Sequence, residues 1–387
     1  MLIHTVKDGD TIFKIAESYG TPPSKIIEYN DLKNPDRIPI GLELLIVTPT
    51  KSYTAKRGET ADDIAKKFGV EKKSLKRANL NFSMNGKASE KEVLAIKQDT
   101  PRHGTILLNG QLYRGYDPKR LSVALEYAKY ITLSSYKAIS GGIAKVFDDR
   151  NALTQIRSAR CAPIMRIYDQ DILSTLKNNR EKFTRAAITT ALAHGYRGIT
   201  LTVGDCGNYD EVCESLIEIK KDLMNDGLML FIESENYSSA HDIADAAVVR
   251  YEKCHKENIP TFILGEKKHF TEYAKKGDSI KAFMDISPFA FAGGEYITKK
   301  DAVELAYRAK TNIKYDDDRK ICHFEYRIGR NSQNCCFESL KNIKAKLQIM
   351  SELGFMGMSF DITRCPTEHL IMCLCEFSLP DYSSFEI

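Results

Sequence analysis

The chain has 387 residues, of which 43% are hydrophobic and 28% charged, and its formal net charge at pH 7 is +4. This composition excludes a disordered or fibrous protein, and the length predicts at least two domains because one core stops growing near roughly 300 residues. No segment approaches the roughly 18 uninterrupted apolar residues of a membrane span, and the amino terminus lacks a basic stretch followed by an apolar run. We therefore expect no membrane contact and cytoplasmic synthesis without a signal peptide.

The ten cysteines all lie at or after Cys161, at irregular spacings. This distribution favours reduced thiols over a disulfide framework, which is typical of short secreted chains. Cys254-His255 and Cys322-His323 raise the alternative of metal binding, but the sequence has no CxxC and no HxxxH motif. We expect no metal and no cofactor.

The amino-terminal hundred residues contain an internal repeat. An offset of 49 residues aligns two segments without a gap, and these pairs match: Gly9 with Gly58, Thr11 with Thr60, Ile15-Ala16 with Ile64-Ala65, Tyr19-Gly20 with Phe68-Gly69, and Asn30 with Asn79. So many matches indicate a duplicated module. Each copy predicts a short strand, a glycine turn, a threonine that caps a short helix, a second helix and a closing strand.

The repeats resemble the LysM module. The first copy carries the Gly9-Asp10-Thr11 turn, Asn30 and the Pro39-x-Gly41 turn, whereas the second copy has Glu59 in place of the aspartate and lacks the Pro-x-Gly turn. We place the modules at residues 1–49 and 50–98, the second being degenerate. The resemblance implies binding to peptidoglycan, chitin or another N-acetylglucosamine (GlcNAc) polymer through Gly9, Asp10, Thr11, Ile12, Asn30, Pro39, Gly58, Thr60 and Asn79. The alternative is a module kept for protein contacts.

Residues 51–97 carry twelve Lys or Arg against six Asp or Glu. Such a surplus can attract an anionic polymer, including nucleic acid. A solvated helix face is the favoured interpretation, so we regard nucleic acid as an unlikely partner.

After residue 104 helices alternate with short apolar segments, which is the pattern of βα units around a parallel sheet. The predicted strands cover residues 130–135, 163–168, 198–201, 228–232, 246–251, 260–264, 280–286 and 357–360. About eight strands over some 280 residues predict a (β/α)8 barrel of the α/β class.

This region resembles the glycoside hydrolase family 18 domain, through the phrases AVELAYRAKTNIKYDDD, AKLQIMSELGFMGMSF and ALAHGYRGITL. LysM modules before such a barrel are the arrangement of bacterial spore enzymes that lyse cortex fragments. The resemblance implies a barrel over residues 104–387 with a small α+β insertion at about 296–339.

Active members of that family carry DxxDxDxE at the tip of the fourth strand, where the Glu is the proton donor and the preceding Asp orients the substrate N-acetyl group. The aligned positions here are Arg197, Thr200, Thr202 and Gly204. None of these residues can donate a proton to a leaving group, so we assign no catalytic residue. The chain also has no Trp, and Asp361 stands where the family places one on the eighth strand.

The resemblance places seven residues at the barrel mouth: Tyr136, Tyr168, Glu233, Tyr251, Glu252, Phe289 and Asp361. Relocated acids among Asp205, Glu233, Glu235, Glu252 and Asp361 would permit hydrolysis by another geometry. We favour instead solvated carboxylates or partners of Arg166 and Arg250 on neighbouring strands. His194 and His241 fall in helices, where we expect only a surface or capping role.

We therefore expect a glycan-binding protein of the bacterial spore or cell wall with an inactive barrel. An active N-acetylglucosaminidase on cortex peptidoglycan is the alternative, and a nucleic-acid binder is a third possibility.

Overall fold

In a computed structural model of the chain, the structure describes residues 1–79, 82, 87–89, 91–97, 103–140, 142–169, 172–203, 209–234, 240–250, 262–276, 279–318 and 320–380. Its amino-terminal elements are β1 (Leu2–Thr5), α1 (Ile12–Tyr19), α2 (Pro23–Tyr29), β2 (Glu43–Ile46), β3 (Lys51–Thr54), α3 (Ala61–Phe68), α4 (Lys72–Arg77) and β4 (Val93–Lys97). β1 pairs antiparallel with β2, and β3 with β4. These are two βααβ modules, as predicted from the repeat.

Equivalent residues close the first turn of each module. Asp10 accepts hydrogen bonds from the backbone N–H of Lys7 and from His4, and its counterpart Glu59 accepts them from the N–H of Lys56 and from Tyr53. The longer Glu59 therefore replaces the aspartate without loss of the turn. Thr11 and Thr60 cap the following helices, and each helix ends at a left-handed glycine.

The remainder of the chain follows as β5 (Leu107–Leu112), α5 (Pro118–Leu125), β6 (Tyr130–Ile139), β7 (Gly142–Lys145), α6 (Arg150–Ser158), β8 (Ala162–Tyr168), α7 (Ile172–His194), β9 (Gly198–Thr202), α8 (Tyr209–Asn225), β10 (Met229–Ser234), α9 (Ala240–Ile243), β11 (Ala246–Val249), α10 (Phe262–Lys276), a 3₁₀ turn (Ser279–Lys281), β12 (Ala282–Asp285), β13 (Ala290–Ala292), β14 (Glu295–Tyr296), α11 (Lys299–Arg308), β15 (Lys314–Asp316), β16 (Ile321–Ile328), β17 (Asn331–Glu338), α12 (Leu340–Glu352), β18 (Gly357–Asp361) and α13 (Thr367–Glu376).

Eight parallel strands close into a barrel in the order β5, β6, β8, β9, β10, β11, β12 and β18, with β18 returning to β5. β7 adds an antiparallel hairpin to β6. The predicted (β/α)8 barrel is confirmed. Its lower interior is filled by apolar strand side chains, including Ile164, Phe231, Ala246, Val248 and Phe283. The alternate strand residues, such as Ile199 and Leu201, pack outward against the helices.

Two predictions of strands need correction. β5 was not predicted, because its inward residues Asn109 and Gln111 interrupt the apolar pattern. The segment 260–264 was predicted as a strand, but helix α10 begins at Phe262. A short apolar run fits a buried strand and a buried helix turn equally well, which explains the error.

A five-stranded antiparallel sheet with α11 is inserted between β12 and α12, in the order β14-β13-β17-β16-β15. Its core is continuous with that of the first module. Ile12, Ile15 and Leu44 of the module belong to the same buried cluster as Phe324 and Phe337 of the insertion. The first module and the insertion therefore form one hydrophobic core.

Hydrogen bonds from main-chain N–H groups hold the first module against the insertion and the start of α12. The N–H of Ile313 donates to the carbonyl of Ile40 at 2.9 Å, and the N–H of Leu340 donates to Glu43 at 2.7 Å. Gly41, at φ +85°, lies so close that a Cβ there would be 1.8 Å from the carbonyl oxygen of Ile313. The second module is linked to the first by the hydroxyl of Tyr29, which donates to the carbonyl of Ala78 at 2.7 Å.

We predict that Gly41→Ala separates the first module from the insertion, because its Cβ collides with backbone that cannot rotate away. Gly58→Ala is the matched control, since Gly58 has φ +87° and nothing within 4 Å of its Cβ position. Denaturant unfolding should show a cost of about 1 kcal/mol for the control. The cost for Gly41→Ala should be at least about 2 kcal/mol larger. Equal costs would show that the junction yields easily.

Candidate functional site

Polar side chains fill the carboxyl-terminal end of the barrel. Arg166 on β8 lies in register with Thr200 on β9, and Thr202 lies in register with Glu233 on β10. Because side chains alternate along a strand, these four residues point to the same face as the interior residues Ile164 and Phe231. The upper interior is thus polar, whereas the lower interior is apolar.

Glu233 is the centre of this polar layer and is fully buried. Its Oε1 accepts hydrogen bonds from Arg166 Nη2 at 2.6 Å and lies 3.0 Å from Arg250 Nη1. Arg250 also lies 3.4 Å from Asp285 through its Nε. The prediction that Glu233 is a partner of Arg166 and Arg250 is confirmed. A carboxylate bound by two guanidinium groups is poorly suited to donate a proton to a sugar oxygen.

Tyr113 joins the two arginines to β5. Its hydroxyl accepts from Arg166 at 3.0 Å and from Arg250 at 2.9 Å, and it donates to Gln111 at 2.5 Å. Gln111 in turn donates to Ser359 on β18 at 2.8 Å. Burial raises the pKa of Tyr113, so the hydroxyl stays protonated at neutral pH. Sequence reasoning missed both residues, although the alternating polar positions of LLNGQL could have indicated Gln111.

Asp361 is a second buried acid at the end of β18. Its Oδ1 accepts the backbone N–H groups of Thr363 and Arg364 at 2.8 and 3.0 Å. Burial raises the pKa of Asp361, the backbone hydrogen bonds and the Arg364 charge oppose that change, and the charge of Asp285 adds to it. Among the predicted mouth residues that the structure describes, Asp361 is therefore the carboxyl group whose pKa is raised by burial.

The four positions aligned with the family 18 motif DxxDxDxE do not form one cluster at the mouth in the described part of the structure. Arg197 is exposed and precedes β9, at the opposite end of the strand from the mouth. Thr200 is buried inside the barrel, and Thr202 accepts a hydrogen bond from Arg166 at 3.3 Å. Gly204 lies outside the described residues. Threonine hydroxyls do not transfer protons as acids near neutral pH, so the described positions supply no general acid.

Two predicted mouth residues do not face the mouth. Tyr136 is in register with the outward residue Ile167, and its ring packs against Tyr196. A β-bulge in β6 causes this, because one irregular step moves the following side chains to the other face. Phe289 is buried in a small cluster beneath the inserted sheet.

Tyr168 ends β8 and is 51% exposed, which is compatible with the predicted position at the rim. Four other predicted residues lie outside the described residues: Asp205, Glu235, Tyr251 and Glu252.

His241 differs from the expectation of a surface or capping role. It is buried in the short helix that follows β10, and its Nε2 lies 2.7 Å from the hydroxyl of Ser234, the neighbour of Glu233. No periodicity around His241 indicates this burial, because the helix of His241 is only four residues long.

The LysM residues divide into core and surface groups. Asn30 bonds through its amide to the carbonyls of Ile26 and Leu45 and to the N–H of Leu45, and Asn79 makes the equivalent three bonds to Leu75 and Ala95. Both side chains are buried and fully used by backbone, so a direct hydrogen bond to a sugar is not open to them. Ile12 and Pro39 are buried as well.

Exposed or half-exposed positions remain at the first turn of each module: Gly9, Asp10, Thr11, Gly58 and Thr60.

Among the residues that the structure describes, no group of three or more His, Cys, Asp or Glu side chains could hold a metal ion. Cys322 is buried and burial raises the pKa of its thiol, while Cys254 and His255 lie outside the described residues. The eight described cysteines are free thiols. None of the helices within the described ranges is long and apolar enough to cross a bilayer.

Comparison with known proteins agrees with this architecture. Residues 4–47 and 53–86 match the family model of the LysM domain, so the chain carries two LysM domains. The chain is 23% identical to the cortical fragment-lytic enzyme of Bacillus anthracis, over 92% of this chain and 94% of that protein.

Two solved structures show the fold. The spore cortex-lytic enzyme SleL of Bacillus megaterium QM B1551 has a TM-score of 0.75 at 21% identity and covers 98% of both chains. A chitinase from Chromobacterium violaceum ATCC 12472 has a TM-score of 0.63 at 12% identity, over 70% of this chain and 98% of that one. The protein thus has the fold of SleL: LysM domains followed by a chitinase-like barrel.

We predict that Glu233→Gln destabilises the protein by about 3–5 kcal/mol, because the buried Arg166 and the partly buried Arg250 lose the carboxylate that they share. The control is Asp148→Asn, whose carboxylate is bound by Arg150 on the exposed surface. That change should leave the unfolding free energy nearly unchanged, since solvent screens the pair. Urea unfolding of the full chain measures both. A similar small effect of the two variants would contradict the central role of Glu233.

We also predict a loss of stability on mild acidification. Burial lowers the pKa of His241 to about 4, against a small opposing effect of Asp242, whereas the unfolded chain titrates near 6.5. The unfolded state therefore binds more protons, and stability falls as the pH drops from about 6.5 towards 4, by about 2 kcal/mol at pH 5. His369 acts in the same direction, because burial and the charges of Lys299 and Lys346 lower its pKa.

The measurement is urea unfolding at pH 7, 6 and 5. His241→Gln keeps a polar partner for Ser234 but cannot titrate, so its loss of stability over this range should be smaller than that of the wild type. An unchanged pH dependence in this variant would show that His241 is not responsible.

Proposed function

We propose that the protein binds a GlcNAc-containing polymer of a bacterial spore or cell wall and that its barrel does not cleave the polymer by the family mechanism. The two LysM domains and the fold shared with SleL support the binding role. We propose domains at residues 1–49, 50–98 and 104–387. We also propose that the protein is associated with the spore, because its relatives include spore cortex-lytic enzymes.

The proposal that the barrel is inactive rests on the pairing of Glu233 with Arg166 and Arg250. The family mechanism needs a protonated carboxyl group and a neighbouring carboxylate at the mouth. In the described part of the mouth, Thr200 and Thr202 stand at the aligned positions and Glu233 is held by Arg166 and Arg250. Loss of a general acid typically costs about 10²- to 10⁴-fold in rate.

The alternative is a glycosidase with relocated acids, and the environment of Asp361 favours it. A carboxyl group whose pKa is raised by burial can act as a general acid, and Asp285 lies close enough for its charge to add to the effect. Glu252, which lies outside the described residues, is the second candidate from the sequence.

Incubation of the purified full chain with insoluble peptidoglycan and with soluble muropeptides tests both proposals. We expect the protein to sediment with peptidoglycan and to release no new reducing ends above the rate of a no-protein control. Release of reducing ends that is abolished in Asp361→Asn or Glu252→Gln would establish the glycosidase. Failure to sediment would contradict the binding proposal.

DNA binding should be measured beside glycan binding, because residues 51–97 are basic. Glycan binding should be nearly insensitive to salt, whereas binding through phosphates would weaken steeply between 50 and 200 mM salt.

A further inference from the structure

A cleft of about 350 Å³ opens between the first LysM domain and the top of the barrel. One wall is the segment after α2, with Leu32, Lys33 and Arg37, which belongs to the first LysM domain. The other wall is formed by the start of α11 and the loop after β18, with Lys300 and Arg364. Pockets of this size accommodate small-molecule ligands and short oligomers.

The two walls are held at a fixed distance. Asp31 of the module pairs with Arg120 of α5 at 2.8 Å and with Lys300 of α11 at 3.5 Å. Asn34 donates to Glu304 at 3.3 Å. Together with the shared core, these contacts make the cleft a preformed feature. Ligand binding would therefore lose little conformational entropy in the protein.

The chemistry of the lining selects a polar and neutral ligand. Six cationic and six acidic side chains line the cleft, so the formal charge of the lining is zero. Several of these charges neutralise one another, as Lys299 does with the buried Glu368. Apolar patches at Ile38, Val303 and Pro366 lie between them. Polar groups interspersed with apolar surface suit the hydroxyls and the carbon faces of a sugar, whereas a polyanion would gain nothing here.

The cleft adjoins the barrel mouth. Arg364 lines the cleft, its Nε lies 3.6 Å from Asp361 in the mouth, and its guanidinium lies over the ring of Tyr296 at 5.6 Å. Tyr296 is 55% exposed and is backed by Phe291, with ring centroids 4.2 Å apart. A ligand in the cleft can therefore continue past Arg364 towards the mouth.

From this geometry we propose that the cleft is a composite glycan-binding site in which the first LysM domain and the barrel hold adjacent sugars of one neutral chain. The inference rests on the proposed function. It adds that the first LysM domain does not bind independently of the barrel, because the segment after α2 is one wall of a shared site.

The test is titration calorimetry of the full chain with a β-1,4-linked GlcNAc hexamer. Lys33→Ala/Arg37→Ala alters the LysM wall, where both side chains are exposed, and Lys300→Ala alters the barrel wall while Asp31 keeps its pairing with Arg120. Each change should weaken binding about tenfold, as the loss of charged hydrogen bonds predicts. The control is Lys182→Ala/Arg185→Ala, which removes two exposed charges from α7 and should change affinity less than about twofold.

The outcomes separate the two proposals. If the wild type binds neither the hexamer nor peptidoglycan, the proposed function fails. If it binds the hexamer and Lys300→Ala binds equally well, the glycan is held by the LysM domains alone and the composite site is wrong. Weakening by both wall variants but not by the control supports the site. Thermal unfolding of each variant verifies that the fold is retained.

Discussion

The barrel depends on the shared pairing of Glu233 with Arg166 and Arg250. Two guanidinium groups within a closed strand barrel are costly unless a carboxylate compensates them, and one buried carboxylate oxygen does this for both. Asp285 and the hydroxyl of Tyr113 complete the arrangement. The polar layer thereby links strands β5, β8, β10 and β12 through side-chain hydrogen bonds and ion pairs.

The two LysM domains are each held together by equivalent side-chain hydrogen bonds. Each uses a buried asparagine to connect its second helix with its closing strand, and each uses a carboxylate to close its first turn. The same backbone needs are met in both copies although the sequences differ elsewhere. The repeated Asn30 and Asn79 are therefore explained by folding. In the proposed binding role, direct glycan contacts would therefore fall to the exposed first turns and the cleft wall.

Local patterns predicted most of the fold. The repeat was readable because Gly9, Thr11 and Gly20 each perform a task that depends only on neighbouring residues. The pairing of Glu233 could be predicted because Arg166, near the end of β8, and Arg250, directly after β11, lie at the same end of the barrel as Glu233. β5 was missed because its inward side chains are polar, and α10 was misassigned because its first residues are uniformly apolar. Tyr136 was misplaced by a bulge, which shifts the alternation without a clear sequence signal.

The joining of the first LysM domain to the insertion could not be read from the sequence. The apolar faces of α1 and β2 predict only that they are covered, not that Phe324 and Phe337, some 300 residues later, cover them. Likewise Asp361 was expected to be a solvated carboxylate or a partner of Arg166 or Arg250, whereas it is buried and lies 3.6 Å from Arg364 in the loop after β18. Such features arise from contacts between distant segments, and periodicity carries no information about them.

The continuous core has a consequence for any trimming of the chain. A protease that removed the first fifty residues would remove Ile12, Ile15 and Leu44. The apolar face of the inserted sheet that they cover would then be exposed to solvent. A shortened form lacking the first LysM domain should therefore aggregate or be degraded. The architecture tolerates cleavage of the chain only after the first LysM domain. The cleaved domain would then stay bound to the inserted sheet through packing and hydrogen bonds.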